Sequence, residues 1–301
     1  MGEGRVLSIS SSVVYGYVGN KASTFPMQLL GFDVDPINSV QLSNHTGYKI
    51  FRGQKLEGVD MDKLMEGLEK NDFLATYTHL MTGYLGKETF IERVSSIVLK
   101  MKERNKNLLF VCDPVMGDNG KLYVPEAFIS IYRDKLIPHA ALVTPNQFEA
   151  EKLSESKITD LDSAYQAAAQ IVRRGAKNVV ITSLELKGRQ EDYIDVIAVG
   201  ESIGKGRYYH LALPRQPGKY SGCGDLCTSL LLVWFTKHPG DFKAILEKTF
   251  ASIQSVIRRT RTYGTKRCGW TELELIASRG DIALPKITQR ASECQVSSAC
   301  S

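Results

Sequence analysis

The chain has 301 residues, of which 43% are hydrophobic and 24% charged, with a net charge of +5 from 38 basic and 33 acidic side chains. These proportions exclude disordered, collagenous and low-complexity classes. So mild a charge, with no nucleic-acid-binding module, argues against a nucleic-acid partner; the longest apolar run, Leu230–Phe235, is far short of the roughly 20 residues that span a bilayer, so no membrane partner is expected.

In chain order, Val6–Ser10 reads as a strand and Lys21–Leu30 as a helix. Phe32–Val40 is extended and leads into the polar turn Ser43-Asn-His-Thr-Gly47, with Tyr48–Phe51 as a returning hairpin arm. Met61–Asn71 has helical periodicity, with Asp60 as N-cap. Thr78–Thr82 is a short strand and Glu88–Asn105 an amphipathic helix. Leu108–Cys112 is a continuous apolar run that stops at Asp113-Pro114, the pattern of a strand buried on both faces. Glu126–Leu136 is helical, and Ala140–Val143 is a second buried strand, ending at Thr144-Pro-Asn146. Asp162–Arg174 is a helix closed by Gly175, and Val179–Thr182 another buried strand. Tyr193–Val199 and Arg207–Leu213 alternate more and read as antiparallel. Gly224–Phe235 and Phe242–Arg261 are helices, and Thr271–Ala277 a short last one.

Strands alternating with helices predict an α/β fold, a central, mostly parallel β-sheet with helices on both faces. One domain is expected over 1–285, with residues 286–301, rich in Ser, Cys and Gln, as a flexible tail. The six cysteines include no Cys-x-x-Cys pair and no His at zinc-ligand spacing. With no signal peptide before the first strand, they are expected to be reduced thiols of a cytoplasmic protein. The cluster Arg258, Arg259, Arg261, Lys266 and Arg267 reads as a solvated helix face.

In open α/β sheets, ligands bind beyond the carboxyl ends of the strands. Three polar clusters sit there. Asp113-Pro-Val-Met-Gly-Asp118 puts two carboxylates after a buried strand, suited to a hard cation such as magnesium or to a simple turn. In Thr144-Pro-Asn-Gln-Phe-Glu-Ala-Glu151, Asn146 can cap a helix, and Glu149 in its first turn could complete a metal or phosphate site with Asp118. Gly222-Cys-Gly-Asp225 opens an apolar helix. Glycines at a helix N-terminus converge amide N–H groups into an anion hole. A carboxylate at its mouth repels a bound phosphate, unless its task is to take a proton from an alcohol attacking that phosphate. The alternative is an Asp that merely caps the helix. P-loop, dinucleotide-fold, nucleophile-elbow and protein-kinase signatures are all missing from the sequence.

These clusters, in this order, resemble the ribokinase-like superfamily. Ser8-Ile-Ser-Ser-Ser-Val-Val-Tyr-Gly-Tyr-Val-Gly-Asn20, Asn38-Ser-Val-Gln-Leu-Ser-Asn-His-Thr-Gly-Tyr48, Thr82-Gly-Tyr84 and Tyr123-Val-Pro125 narrow the resemblance to the pyridoxal kinase family. It covers residues from about 5 to about 280. It implies a ribokinase-like fold and ATP-dependent phosphorylation of the 5′-hydroxymethyl group of pyridoxal, pyridoxine and pyridoxamine by a homodimer. By motif, Asp225 resembles the general base, and Gly222, Cys223 and Gly224 the anion hole. Ser11, Val18, Thr46 and Tyr84 match positions around the pyridine ring. Asp118 and Glu149 match the magnesium side, with Asn146 beside them. Asp113, Thr144 and Thr182 match the phosphate and monovalent-cation neighbourhood, Thr182 and Ser183 approach ATP, and Leu213–Tyr220 lies over the nucleotide. The implied cofactors are Mg2+ with ATP and a monovalent cation, potassium or sodium, with Zn2+ as an alternative to magnesium. Cys223 stands where many members carry Thr. The rival readings are a hydroxymethylpyrimidine kinase of the same superfamily and a catalytically silent vitamin-binding relative.

Overall fold

A computed structural model describes residues 2–186 and 192–296. The strands are β1 (Gly4–Val13), β2 (Phe32–Leu42), β3 (Gly53–Lys55), β4 (His79–Thr82), β5 (Leu109–Cys112), β6 (Gly117–Asp118), β7 (Lys121–Leu122), β8 (Leu142–Val143), β9 (Asn178–Leu184), β10 (Tyr193–Gly200), β11 (Arg207–Pro214), β12 (Lys266–Arg267), β13 (Trp270–Thr271) and β14 (Ser292–Gln295). The α-helices are α1 (Asn20–Leu29), α2 (Gly58–Lys70), α3 (Glu88–Arg104), α4 (Ala127–Ile131), α5 (Gln147–Ser154), α6 (Leu161–Arg173), α7 (Cys223–Lys237), α8 (Phe242–Tyr263) and α9 (Arg279–Ala283). Ten strands form one sheet in the order β14-β11-β10-β9-β8-β5-β4-β1-β2-β3, while β6–β7 and β12–β13 are separate hairpins.

From β2 through β1, β4, β5 and β8 to β9 the pairs are parallel, and the flanks are antiparallel. The centre of the sheet is buried on both faces, which is why Leu109–Cys112 and Leu142–Val143 are apolar throughout. On one face, Phe90, Val94, Phe110, Tyr132 and Ile171 belong to a core under α3, α4 and α6. On the other, Val111, Leu142, Leu230, Val233, Leu246 and Phe250 pack under α7 and α8. His79, inside β4, is a core residue: its ring nitrogens meet Thr78 Oγ1 at 2.7 Å and Thr236 Oγ1 at 2.9 Å, and burial pushes it down to about 4. Among the described residues, no helix is long and apolar enough to cross a membrane.

Four expectations need correction. The second hairpin arm is Gly53–Lys55, not Tyr48–Phe51, because the intervening turn is longer. Helix α2 starts at Gly58, with Glu57 as cap and Asp60 closing the capping box at its third position. The expected Thr271–Ala277 helix does not form. Trp270–Thr271 pairs with Lys266–Arg267, and helix returns only at Arg279. Residues 286–296 are not a free tail: Ser292–Gln295 pairs with β11, and Glu247 accepts from Ala291 N at 3.1 Å and from Arg290 Nη1 at 2.9 Å. The last five residues of the expected tail lie outside the described residues.

Candidate active site

Backbone hydrogen bonds set the strand ends side by side. Gly83 N donates to Ile9 O, Asp113 N to Thr82 O, Thr144 N to Cys112 O and Thr182 N to Pro145 O, each at 3.0 Å. Four polar segments that are remote in sequence therefore line one edge of the sheet.

Helix α7 arrives at the same edge. Its cap, Gly222, has φ 87°, and a Cβ there would lie 1.9 Å from Tyr17 O, so only glycine fits this turn. A Cβ on Gly224 would meet nothing within 4 Å, so the first turn opens onto free space. Amide groups at such an end face outward, and the helix dipole adds partial positive charge. Asp225 stands in that turn. The backbone N–H of Gly19 donates to it, and a Cβ on Gly83 would lie 3.7 Å from its Oδ1. Burial pushes its carboxyl up to about 6, against the pull of that hydrogen bond. A carboxylate with that value is ionised at neutral pH yet basic enough to accept a proton.

Behind it lie two more carboxylates. Asp113 is 6% exposed and takes a 3.1 Å hydrogen bond from Thr228 Oγ1, which in turn lies 2.9 Å from Thr144 Oγ1. Burial, and then the charges of Glu149 and Asp225, hold its carboxyl well above the usual range. Glu149 is 3% exposed and accepts from Met116 N at 2.9 Å, Gly117 N at 3.4 Å and Asn146 N at 3.0 Å. Burial still pushes it up to about 7. Asn146 caps α5 through Glu149 N at 2.9 Å and donates to Gly117 O at 2.8 Å, which locks the β6–β7 hairpin onto the strand ends. The charges of Glu149 and Asp225 both act on Asp113, so the three carboxylates raise one another's cost of ionisation at the strand ends.

The sequence-predicted residues divide as follows. Gly222, Cys223, Gly224, Asp225, Asp113, Thr144, Asn146 and Glu149 converge at the strand ends. Asp118 sits on the hairpin tip and accepts from Asn119 N at 2.7 Å, so it is turned into its own turn. Thr182 and Ser183 are half-buried at the end of β9. Leu213 is 4% exposed and packs in the core under α7, so its side chain supports the site rather than facing it. Ser11 lies against the β1–α1 loop, since a Cβ on Gly19 would lie 1.9 Å from Ser11 O. Val18 precedes that glycine. Tyr84 O accepts from Ser39 Oγ at 2.6 Å, and Lys55 Nζ lies 3.5 Å from its hydroxyl. Thr46 is exposed in the β2–β3 turn.

Sequence reasoning missed Thr228 and Glu272. Thr228 lies three residues after Asp225 on one helix, a spacing that faces the same way. Glu272 accepts from Tyr17 N at 3.1 Å and Tyr48 Oη at 2.8 Å, and no sequence signal marked it. A polar groove of about 640 Å³ between α2 and α3, lined by Glu57, Thr89, Arg93 and Lys135 among others, includes none of these residues.

The family model described as phosphomethylpyrimidine kinase matches residues 71–257. Pyridoxal kinase of Arabidopsis thaliana is 44% identical over 96% of this chain and 94% of its own length. The Homo sapiens pyridoxal kinase is 38% identical over 96% and 98%. Among solved structures, pyridoxal kinase from Leishmania donovani in complex with ADP and pyridoxamine aligns with a TM-score of 0.90 at 34% identity, covering 96% of this chain and 99% of that one. Pyridoxal kinase from Trypanosoma brucei aligns at 0.86 and 36% identity, covering 98% and 100%. Near-complete coverage on both sides, at these identities, means that the chain belongs to the pyridoxal kinase family.

Proposed function

We propose that this chain transfers the γ-phosphoryl group of ATP to the 5′-hydroxymethyl oxygen of pyridoxal, pyridoxine and pyridoxamine, giving the 5′-phosphates and ADP. The observation that carries this reading is Asp225. Its carboxylate stands beside Gly83 in the first turn of α7, over a glycine-walled helix N-terminus.

The chemistry follows from the placement. A primary alcohol is a weak nucleophile. Asp225 takes its proton as the oxygen attacks the γ-phosphorus and the bond to the ADP oxygen breaks. General-base help of this kind is worth roughly 10²–10⁴-fold. The amides of Gly222, Cys223 and Gly224 face the charge that builds on the transferring group, and these fixed donors need no reorganisation at the moment of reaction. Ser11, Val18, Thr46 and Tyr84 are the ring-side residues in this reading. Thr182, Ser183 and the backbone of Leu213–Tyr220 are its nucleotide side.

The carboxylates and hydroxyls of Asp113, Asp118, Thr144 and Glu149 are all hard oxygens, which suit Mg2+ and a potassium or sodium ion. Zinc prefers nitrogen and sulfur donors, and this set offers none. Among the described residues no three His, Cys, Asp or Glu side chains close around one point. In this reading, magnesium brought with ATP would be held by Asp118 and Glu149, with Asp113 and Thr144 beside them. It supplies charge neutralisation to the phosphates. A homodimer, a cytoplasmic location and a single kinase unit extending through β14 complete the reading.

The match to the phosphomethylpyrimidine kinase model favours a second reading, a hydroxymethylpyrimidine kinase. That match leaves out Ser8–Tyr48, the segment that carries the acceptor-side motifs. A silent vitamin-binding relative has no need of an ionised Asp225 at an open anion hole. ADP release with ATP, Mg2+ and either alcohol separates the three. Turnover with pyridoxal, and little with hydroxymethylpyrimidine, is expected. Faster turnover with the pyrimidine would establish the second reading, and pyridoxal binding without ADP release the third.

A further inference from the structure

Four consecutive residues after the β12–β13 turn touch three loops at the candidate site: the β2–β3 turn, the β1–α1 loop and the segment leading into α7. Trp270 Nε1 donates to Gly47 O at 2.9 Å, and its ring meets the His45 ring edge-on at 5.0 Å. Thr271 bridges to Tyr220, in the segment on the nucleotide side. Glu272 accepts from Tyr17 N at 3.1 Å and Tyr48 Oη at 2.8 Å, and its Oε1 lies 3.3 Å from His45 Nε2. Leu273 Cδ1 would lie 3.5 Å from a Cβ on Gly222.

Each contact falls within two residues of a position in the reaction. Tyr17 precedes Val18, His45 precedes Thr46, and Tyr220 lies two before Gly222. The β2–β3 turn is ten residues long (43–52). Its base is tied by Ser43 N to Arg52 O at 2.7 Å and to the β1–α1 loop by Tyr15 N to Ser43 O at 2.9 Å, while its tip, His45–Tyr48, meets Glu272 and the Trp270 ring. The Glu272 side chain is only 13% exposed. Burial disfavours its charge, but the bonds from His45, Tyr48 and Tyr17 outweigh that and keep it below the usual carboxylate range. A Cβ on Gly16 would lie 2.1 Å from Glu272 Oε2, so the β1–α1 loop is packed against the carboxylate through bare backbone.

We propose that Trp270–Leu273 is a strap that holds the acceptor loops in register with the anion hole, and that Glu272 is its positioning residue for the acceptor. The inference rests on the phosphotransfer reading above. Without Glu272, Tyr17 and the tip of the β2–β3 turn lose the buried carboxylate that joins them, and the acceptor must order the segments bearing Val18 and Thr46 on binding. That cost falls on acceptor affinity. It falls less on the proton transfer, because Asp225 stands on α7, to which Glu272 makes no hydrogen bond among the described residues.

The test is steady-state kinetics with pyridoxal and ATP varied in turn, together with calorimetric pyridoxal binding, for wild type and Glu272→Ala. Losing hydrogen bonds to a buried charge corresponds to about tenfold in affinity. The pyridoxal KM and Kd are expected to rise about tenfold or more, while kcat and the ATP KM change by less than about threefold. A folded Glu272→Ala variant with pyridoxal KM and Kd within about twofold of wild type overturns the strap. So does a variant that loses kcat with both KM values unchanged, because that pattern places the lost interaction in the transition state and not in acceptor binding. Should Glu272→Ala fail to fold, Tyr48→Phe removes one donor to the carboxylate and nothing else. It is expected to raise the pyridoxal KM by about threefold, and an unchanged value overturns the proposal. If wild type binds pyridoxal without turning it over, the phosphotransfer reading fails, and the Kd comparison still tests the strap. If wild type does not bind pyridoxal at all, both fall together.

Discussion

Thr228 donates its hydroxyl to Asp113 Oδ2 at 3.1 Å, joining the helix that carries Asp225 to the carboxylate at the end of a central strand. Because that hydroxyl donates to Asp113, it accepts from Thr144 Oγ1, 2.9 Å away on the next strand end. One relay thus fixes α7 against β5 and β8, and with it the proposed anion hole at the start of that helix.

Replacing Thr228 by Val keeps the shape and removes the relay. Asp113 is then left buried without its donor, which costs about 1–3 kcal/mol. Urea unfolding of Thr228→Val is expected to show that loss at unchanged slope. An unshifted midpoint would mean that the relay does not hold the helix.

Asp225 should set the acid side of the pH–rate profile. Its carboxyl is raised from 3.8 to about 6 by burial, so the base form is lost as pH falls through 6. The pyridoxal kcat/KM is expected to drop about tenfold per pH unit below that point and to be level above it. The stability sign runs the other way. A raised folded value means the folded protein holds the proton more tightly than the unfolded chain, so stability falls as pH rises from about 4 to about 6. A rate profile flat down to pH 5 would remove Asp225 as the base.

Cys223 is half-buried in the first turn of α7, beside the proposed anion hole. Burial, and then the Asp225 charge, push its thiol up to about 12. Cys268 is exposed at the β12–β13 turn. N-ethylmaleimide at neutral pH is therefore expected to label Cys268 ahead of Cys223. Cys223→Thr is expected to turn over within about threefold of wild type, because the hole uses the backbone amide at that position. Inactivation by the reagent in a Cys268→Ser background would give the Cys223 thiol a role.

Gly222→Ala tests the hole itself. The position has φ 87°, and its Cβ would lie 1.9 Å from Tyr17 O, so the turn must shift to accept it. With the amide donors displaced, kcat is expected to fall by at least about 10²-fold. Near-normal kcat in this variant would mean that the phosphoryl group binds elsewhere.

The parts of the site on parallel strands were legible because apolar runs end abruptly there. Leu108–Cys112 stops at Asp113 and Ala140–Val143 at Thr144, and both residues are where that reading put them. The glycines before Asp225 mark the third corner in the same way. Glu272 was invisible. Its partners Tyr48 and Tyr17 lie 224 and 255 residues away, and the β13 strand beside it has two residues, too few for any periodicity. The segment did carry a signal against the expected helix, since Leu273 and Leu275 are buried with half-buried Glu274 between them, the alternation of extended chain. The C-terminal edge strand was missed for another reason. Ser292–Gln295 is polar, and backbone pairing with β11 holds it in place rather than an apolar face.

The most direct test is ADP release from ATP and Mg2+ with pyridoxal, for wild type and Asp225→Asn, with ATP binding measured on both. The account predicts rapid turnover by wild type, a loss of at least about 10²-fold in kcat for the variant, and ATP affinity unchanged. A variant that binds ATP and turns over pyridoxal as wild type does would contradict it.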